Sequence, residues 1–139
     1  MIPNMMQPSL VQVLRVTKAY TDFSTAGLTL TINLATLPAF SRVIALSCQC
    51  TTAPAGGALA TYTVEAGDAG DPNGYEAGAD HIAGGVAMYE THGAYLTTAG
   101  RTVTAATAVQ ATATSTGANL NAATQGAWTF RIAYVTYNY

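Results

Sequence analysis

The stretch Leu28-Thr-Leu-Thr-Ile-Asn-Leu34 decides the fold class. Leu28, Leu30, Ile32 and Leu34 alternate with Thr29, Thr31 and Asn33, a period of two that turns one face of a strand to a core and the other to water. Working outward, Leu10–Ala19 alternates more loosely, with Val11 and Val13 against Gln12, and reads as a first strand. Arg42–Thr51 follows Pro38 and carries Val43, Ile44, Ala45 and Leu46 in a row, the pattern of a central strand covered on both faces. Ala58–Glu65 alternates Leu59, Thr61 and Thr63 with Ala60, Tyr62 and Val64. Further strands are predicted at Gly85–Thr91, Thr102–Thr114 and Ala127–Asn138. Alanine has the best helix propensity, but between Thr102 and Thr116 it alternates with Thr and Val, and β-branched residues at every second place favour a pleated strand. About seven or eight short strands punctuated by turns, with no helical stripe, predict an all-β protein, a sandwich or a barrel. At 139 residues, without an internal repeat, the chain is expected to form a single domain, 1–139, around one core.

The outside of that domain is unusually neutral. Only 9% of the residues are charged while 50% are hydrophobic, and Ala, Thr and Gly fill the difference. Ordinary soluble domains carry about 25% charge. A neutral, Thr- and Tyr-coated surface repels neighbours poorly and costs little to desolvate, which suits a subunit packed against other copies or a larger assembly. The net charge of −2 supplies no basic field for nucleic acid or anionic lipid. Nowhere do about 18 apolar residues run together, so no membrane-spanning helix is expected. The start, Met1-Ile-Pro-Asn-Met-Met-Gln-Pro8, has no cationic segment followed by an apolar one, and synthesis and folding in a cytoplasm are expected. Cys48 and Cys50 lie two apart in a strand, hence on one face, at the edge of feasible disulfide geometry. Free, buried thiols are expected.

Chemistry-bearing clusters are few. The longest irregular stretch, 66–84, gathers Asp68, Asp71, Asn73, Glu76 and Asp80. Asp71-Pro-Asn-Gly74 would supply positions 3, 5 and 6 of an EF-hand loop, with Asp80 at position 12, but position 1 falls on Ala69 and no helices flank it. A Pro-Asn-Gly turn with solvated carboxylates is the expectation. His81 and His92 have neither metal-ligand spacing nor the partners of a nucleophilic triad, and Gly56-Gly57 and Gly84-Gly85 lack the following Lys or helix start of a phosphate loop. No enzyme, cofactor or metal is expected.

The C-terminal segment is the most specific local feature. From Gly126 to Tyr139, Trp128, Phe130, Ile132 and Tyr134 alternate with Thr129, Arg131, Ala133 and Val135, which assigns the aromatic face to the core. Tyr137 and Tyr139 stand at the chain end, where residues are ordinarily frayed and polar, and suggest docking onto a neighbour. At the other end, 1–9 is expected to form an extended arm in which Ile2 precedes Pro3 and Met5 and Met6 lie between Pro3 and Pro8. It either lies along a neighbour or frays.

Asn119-Leu-Asn-Ala-Ala-Thr-Gln-Gly126 leading into that aromatic strand, together with Asn33-Leu-Ala-Thr-Leu-Pro-Ala-Phe40 and Asp71-Pro-Asn-Gly-Tyr75, resembles the jelly-roll cement or decoration proteins of tailed double-stranded-DNA bacteriophages. The resemblance implies a two-sheet β-sandwich of jelly-roll type. It further implies self-association, a homodimer ahead of a trimer, and binding to the major capsid protein on the outside of the virion, without nucleic acid or membrane as partner. The residues expected at such interfaces are Ile2, Met5, Met6, Tyr75, Tyr137 and Tyr139. The rival reading is a carbohydrate- or receptor-binding sandwich of a phage tail or fibre, with Tyr75 in the loop Asp68–His81 stacking on a sugar ring.

Overall fold

The computed structural model describes residues 7–8, 10–97 and 100–138. Ten strands succeed one another: β1 (Gln7–Pro8), β2 (Gln12–Ala19), β3 (Thr29–Leu37), β4 (Ser41–Ala55), β5 (Thr61–Gly67), β6 (Glu76–Asp80), β7 (Ala87–Tyr89), β8 (Thr102–Val103), β9 (Thr107–Thr116) and β10 (Gln125–Asn138). Among the described residues, helix is confined to single turns, α1 (His81–Gly84), α2 (Ala94–Thr97) and the 3-10 turns Tyr20–Phe23 and Leu120–Ala122.

The strands form two antiparallel sheets. In the first, β10 lies between β4 and β2, with β1 continuing the β2 edge and β7 and β8 pairing with the far side of β4. The second runs β3-β9-β5-β6. Early strands pair with late ones: β2 with β10, β3 with β9, β4 with β7 and β8, β5 with β6. That nesting is a long antiparallel hairpin rolled up on itself, a jelly roll, in which two sheets bury their apolar faces against each other.

The alternation seen in the sequence sets which face is inside. Trp128, Phe130 and Ile132 of β10 are fully buried and Tyr134 nearly so. Trp128 stacks on Tyr62 of β5 across the sandwich (centroids 5.3 Å apart, planes 15° apart) and meets Phe23 edge-on at 5.5 Å. On β3, Leu34 and Leu37 are buried and Leu30 and Ile32 half-buried, while Thr29, Thr31, Asn33 and Thr36 face water. Cys48 and Cys50 are free and buried as expected, and burial, with the nearby Glu76 carboxylate, pushes the Cys48 thiol up.

Two expectations are corrected. β4 is not covered on both faces: Ile44 and Ala45 are exposed. Ala133 pairs with Ala45 and the next residue, Tyr134, with Val43, so Ile44 is the extra residue of a β-bulge. The bulge turns two successive side chains outward between inward-facing Val43 and Leu46, which accounts for a continuous apolar run on a strand covered on one face only. The second correction concerns 66–84, which is not one long loop, because the end of β5, all of β6 and α1 fall within it. Its carboxylates are not all solvated either, since Asp68 and Glu76 are each only 1% exposed. Asp71-Pro-Asn-Gly74 does form the expected turn, closed by the Gly74 N–H donating to the Asp71 carbonyl at 3.1 Å.

Candidate functional site

The buried polar groups are built as supports. Asp68 Oδ1 accepts from the N–H groups of Gly70 (2.8 Å) and Asp71 (3.1 Å) and from the Tyr95 hydroxyl (3.1 Å). Arg101 Nε lies 2.8 Å from Asp68 Oδ2, and its guanidinium sits 4.7 Å over the Tyr95 ring. This knot ties the turn after β5 to α2 and to the segment before β8. Close packing helps: a Cβ on Gly74 would enter the Tyr95 ring, and one on Gly93 would strike the Asn73 carbonyl.

His81 is buried, its Nδ1 accepting from the Trp128 indole N–H at 2.8 Å and its ring stacked 3.9 Å from Tyr89. Burial lowers it to about 4, against the opposing pull of Asp80, so it is neutral in the fold. Glu76 Oε1 accepts from the Thr91 N–H at 2.8 Å. Burial drives that carboxyl up to about 7; the Thr91 hydrogen bond opposes the rise and the Glu90 charge adds to it. Among the described residues, no group of three or more His, Cys, Asp or Glu could hold a metal ion. No described helix is long and apolar enough to cross a membrane.

The outward-facing surface divides into three regions. The first is the corner where both chain ends meet the sandwich. Gln7 pairs with Asn138 and Pro8 with Tyr137, the Tyr137 N–H donates to the Phe40 carbonyl at 2.9 Å, and the Phe40 N–H donates to the Val103 carbonyl at 2.7 Å. Phe40 is partly exposed and holds a left-handed backbone (φ 60°), a conformation uncommon for a bulky residue. Beside it opens a concavity of about 280 Å³ lined by Arg42, Val43, Ile44, Tyr95, Leu96 and Tyr137. The bulge in β4 pushes Ile44 outward here, and the Asp68–Tyr95–Arg101 knot holds the α2 wall.

The second region is the outer face of the first sheet. Its register sets Val13, Ala133 and Ala45 in one row, Arg15, Arg131 and Ser47 in the next, and Thr17, Thr129, Gln49 and Met88 in a third. The third is the outer face of the second sheet, where rows across β3, β9 and β5 read Thr29·Thr114·Thr63, Thr31·Thr112·Glu65 and Asn33·Gln110·Gly67, with Thr116·Thr61 beyond. Hydroxyls pair across strands at 3.3 Å (Thr29–Thr114), 2.8 Å (Thr31–Thr112) and 2.6 Å (Thr61–Thr116), and Gln110 Nε2 donates to Asn33 Oδ1 at 3.1 Å. These polar groups satisfy one another, so covering the face need leave few of them unpaired. Glu65 is the one charged residue in these rows.

The expected interface residues divide accordingly. Tyr137 is half-exposed and lines the corner concavity. Tyr75 is corrected: it is only 1% exposed and packs edge-on against Tyr95 at 5.2 Å, so its ring is core and can stack on neither a neighbour nor a sugar. Ile2, Met5, Met6 and Tyr139 lie outside the described residues. Sequence reading missed Arg42, Ile44, Tyr95 and Leu96. The Val43–Leu46 run was the available signal for Ile44.

No protein-family model matches the chain, and no curated protein matches it. Solved structures do. A chain of the cyanophage Pam1 capsid asymmetric unit superposes with a TM-score of 0.63 at 18% identity, over 98% of this chain and 91% of that one. A chain of the acid-stable capsid of Helicobacter pylori bacteriophage KHP30 superposes with a TM-score of 0.57 at 18% identity, over 97% and 99%. This chain therefore shares, over nearly its whole length, a jelly-roll fold found in chains of two phage capsids.

Proposed function

We propose that this chain is an accessory structural protein of a bacteriophage virion, binding the outside of the capsid and stabilising the shell by bridging major capsid protein subunits, with no catalytic activity of its own. The observation that carries the reading is the end-to-end match to chains of two phage capsids. Because 91% and 99% of those chains are covered, they too are essentially single jelly rolls of about this size. The neutral surface fits the role, since contact through Thr, Tyr and apolar groups depends less on salt than ion pairs do. A protein that binds only the intact lattice lowers its free energy by the binding energy, and weak contacts repeated over the lattice add by avidity.

The experiment is size exclusion of the purified chain with and without empty phage shells. Stoichiometric co-elution that persists at high salt is expected. A chain that stays in its own peak at every ratio tested would contradict the proposal.

A further inference from the structure

The edges of the two sheets are not alike. β6 and β7 are short, and β3 carries a bulge between Asn33 and Ala35 and turns Thr29, Thr31 and Asn33 outward. β2 differs from all three. It pairs with β10 in unbroken register from Gln12 to Ala19, contains no proline, and has no strand on its other side among the described residues. In an antiparallel ladder every second N–H and C=O along such an edge points away from the sheet. Its outer face exposes Val13 (62%), with Val11 (54%) just before the strand, beside exposed Arg15 and Thr17. On the inner face Leu14 and Val16 pack against the core yet stay half-exposed, because the sheet stops there. A long, regular edge that exposes apolar side chains is the kind that folded proteins blunt or cover.

We propose that β2 is covered by β2 of a second copy of this chain, in antiparallel register about a two-fold axis at Leu14, joining the two first sheets into one continuous sheet. Self-complementarity selects this occupant. With the axis at Leu14, the two Leu14 side chains meet on the core face and each Gln12 faces Val16 of the second copy. On the outer face each Val13 lies opposite Arg15 of the second copy. An axis at Arg15 would set the two guanidinium groups against each other, and one at Val16 would place the Lys18 ammonium against core-facing Leu14. Arg15 and Lys18 thus disfavour those two registers, the first because opposed like charges are unfavourable in cross-strand pairs, and an axis at Val13 would leave only residues 12–14 of β2 paired with one another. An isologous contact of this kind closes as a dimer and leaves no further edge of the same type.

The test uses the pure chain without shells, so its outcome is independent of capsid binding. Sedimentation equilibrium is expected to give a dimer. Val13→Lys, which faces Arg15 of the second copy twice per dimer, should weaken association about tenfold, and Val13→Glu should strengthen it about tenfold. The exposed position keeps both variants folded, which circular dichroism checks. Amide exchange should show residues 12–16 protected in the dimer. A monomer at all concentrations, a dimer indifferent to the sign of the charge at position 13, or protection of 12–16 only after shells are added would each overturn the proposal.

Discussion

Glu76 and His81 lie on either side of the junction between β6 and α1, both buried, and they respond to pH in opposite senses. The Glu76 carboxyl is raised from 4.5 to about 7, so the folded state favours its proton: this contribution is intact below about pH 4.5 and is lost as pH rises through 7. His81 is lowered from 6.5 to about 4, so its contribution is intact above about pH 6.5 and is lost as pH falls through 4. Between pH 4.5 and 6.5 the two slopes oppose each other. Glu76→Gln removes one of them while leaving an acceptor for the Thr91 N–H. The variant should gain stability relative to the parent as pH rises from 4.5 to 7.5, reaching on the order of 2 kcal/mol, measured by urea unfolding at several pH values. A stability difference that does not change with pH would show that Glu76 is not protonated in the fold.

At the scale of elements, the corner formed by the start of β4, the end of β10 and α2 depends on the bulge that turns Ile44 outward. Ile44→Asp puts a charge on a side chain already 47% exposed. It should change folding stability by less than about 1 kcal/mol while weakening attachment to shells at least about tenfold. Deleting Tyr137–Tyr139 should have the same pattern, read by comparing co-sedimentation with shells against thermal melting of the free chain. The expected strands correspond one to one with observed strands except Thr102–Thr114, which divides into β8 in the first sheet and β9 in the second. Period-two alternation survives wherever one face meets the core but does not show where the chain crosses between sheets. Its clearest runs, around Leu30–Leu34 and Trp128–Tyr134, point inward as read. Alternation said nothing of β6, where Glu76-Ala-Gly-Ala-Asp80 carries no large apolar residue, so its place as an edge strand comes from pairing with β5. Nor could it show that Val43–Leu46 contains a bulge, because a bulged strand and a doubly covered one give the same run of apolar letters. The site was least legible, since it joins residues far apart in sequence, Arg42, Tyr95 and Tyr137, and Tyr75 resembles a surface aromatic until Tyr95 is seen to pack on it.

For the whole molecule, the low charge noted in the composition becomes geometry. The second sheet presents threonine rows whose hydroxyls pair with one another, the first sheet holds Arg15 and Arg131 side by side, and β1 pairs with the end of β10 at one corner. A jelly roll supplies two broad outer faces from one small core, which suits the proposed role on a shell. The central claim is that this contact strengthens a shell. The most direct measurement heats empty shells with and without a saturating amount of the chain and follows their melting. At a free concentration 100 times the dissociation constant, each bound site should stabilise the intact lattice by about 2.7 kcal/mol, so the melting temperature is predicted to rise and to keep rising with added protein. An unchanged melting temperature at saturation would contradict the account.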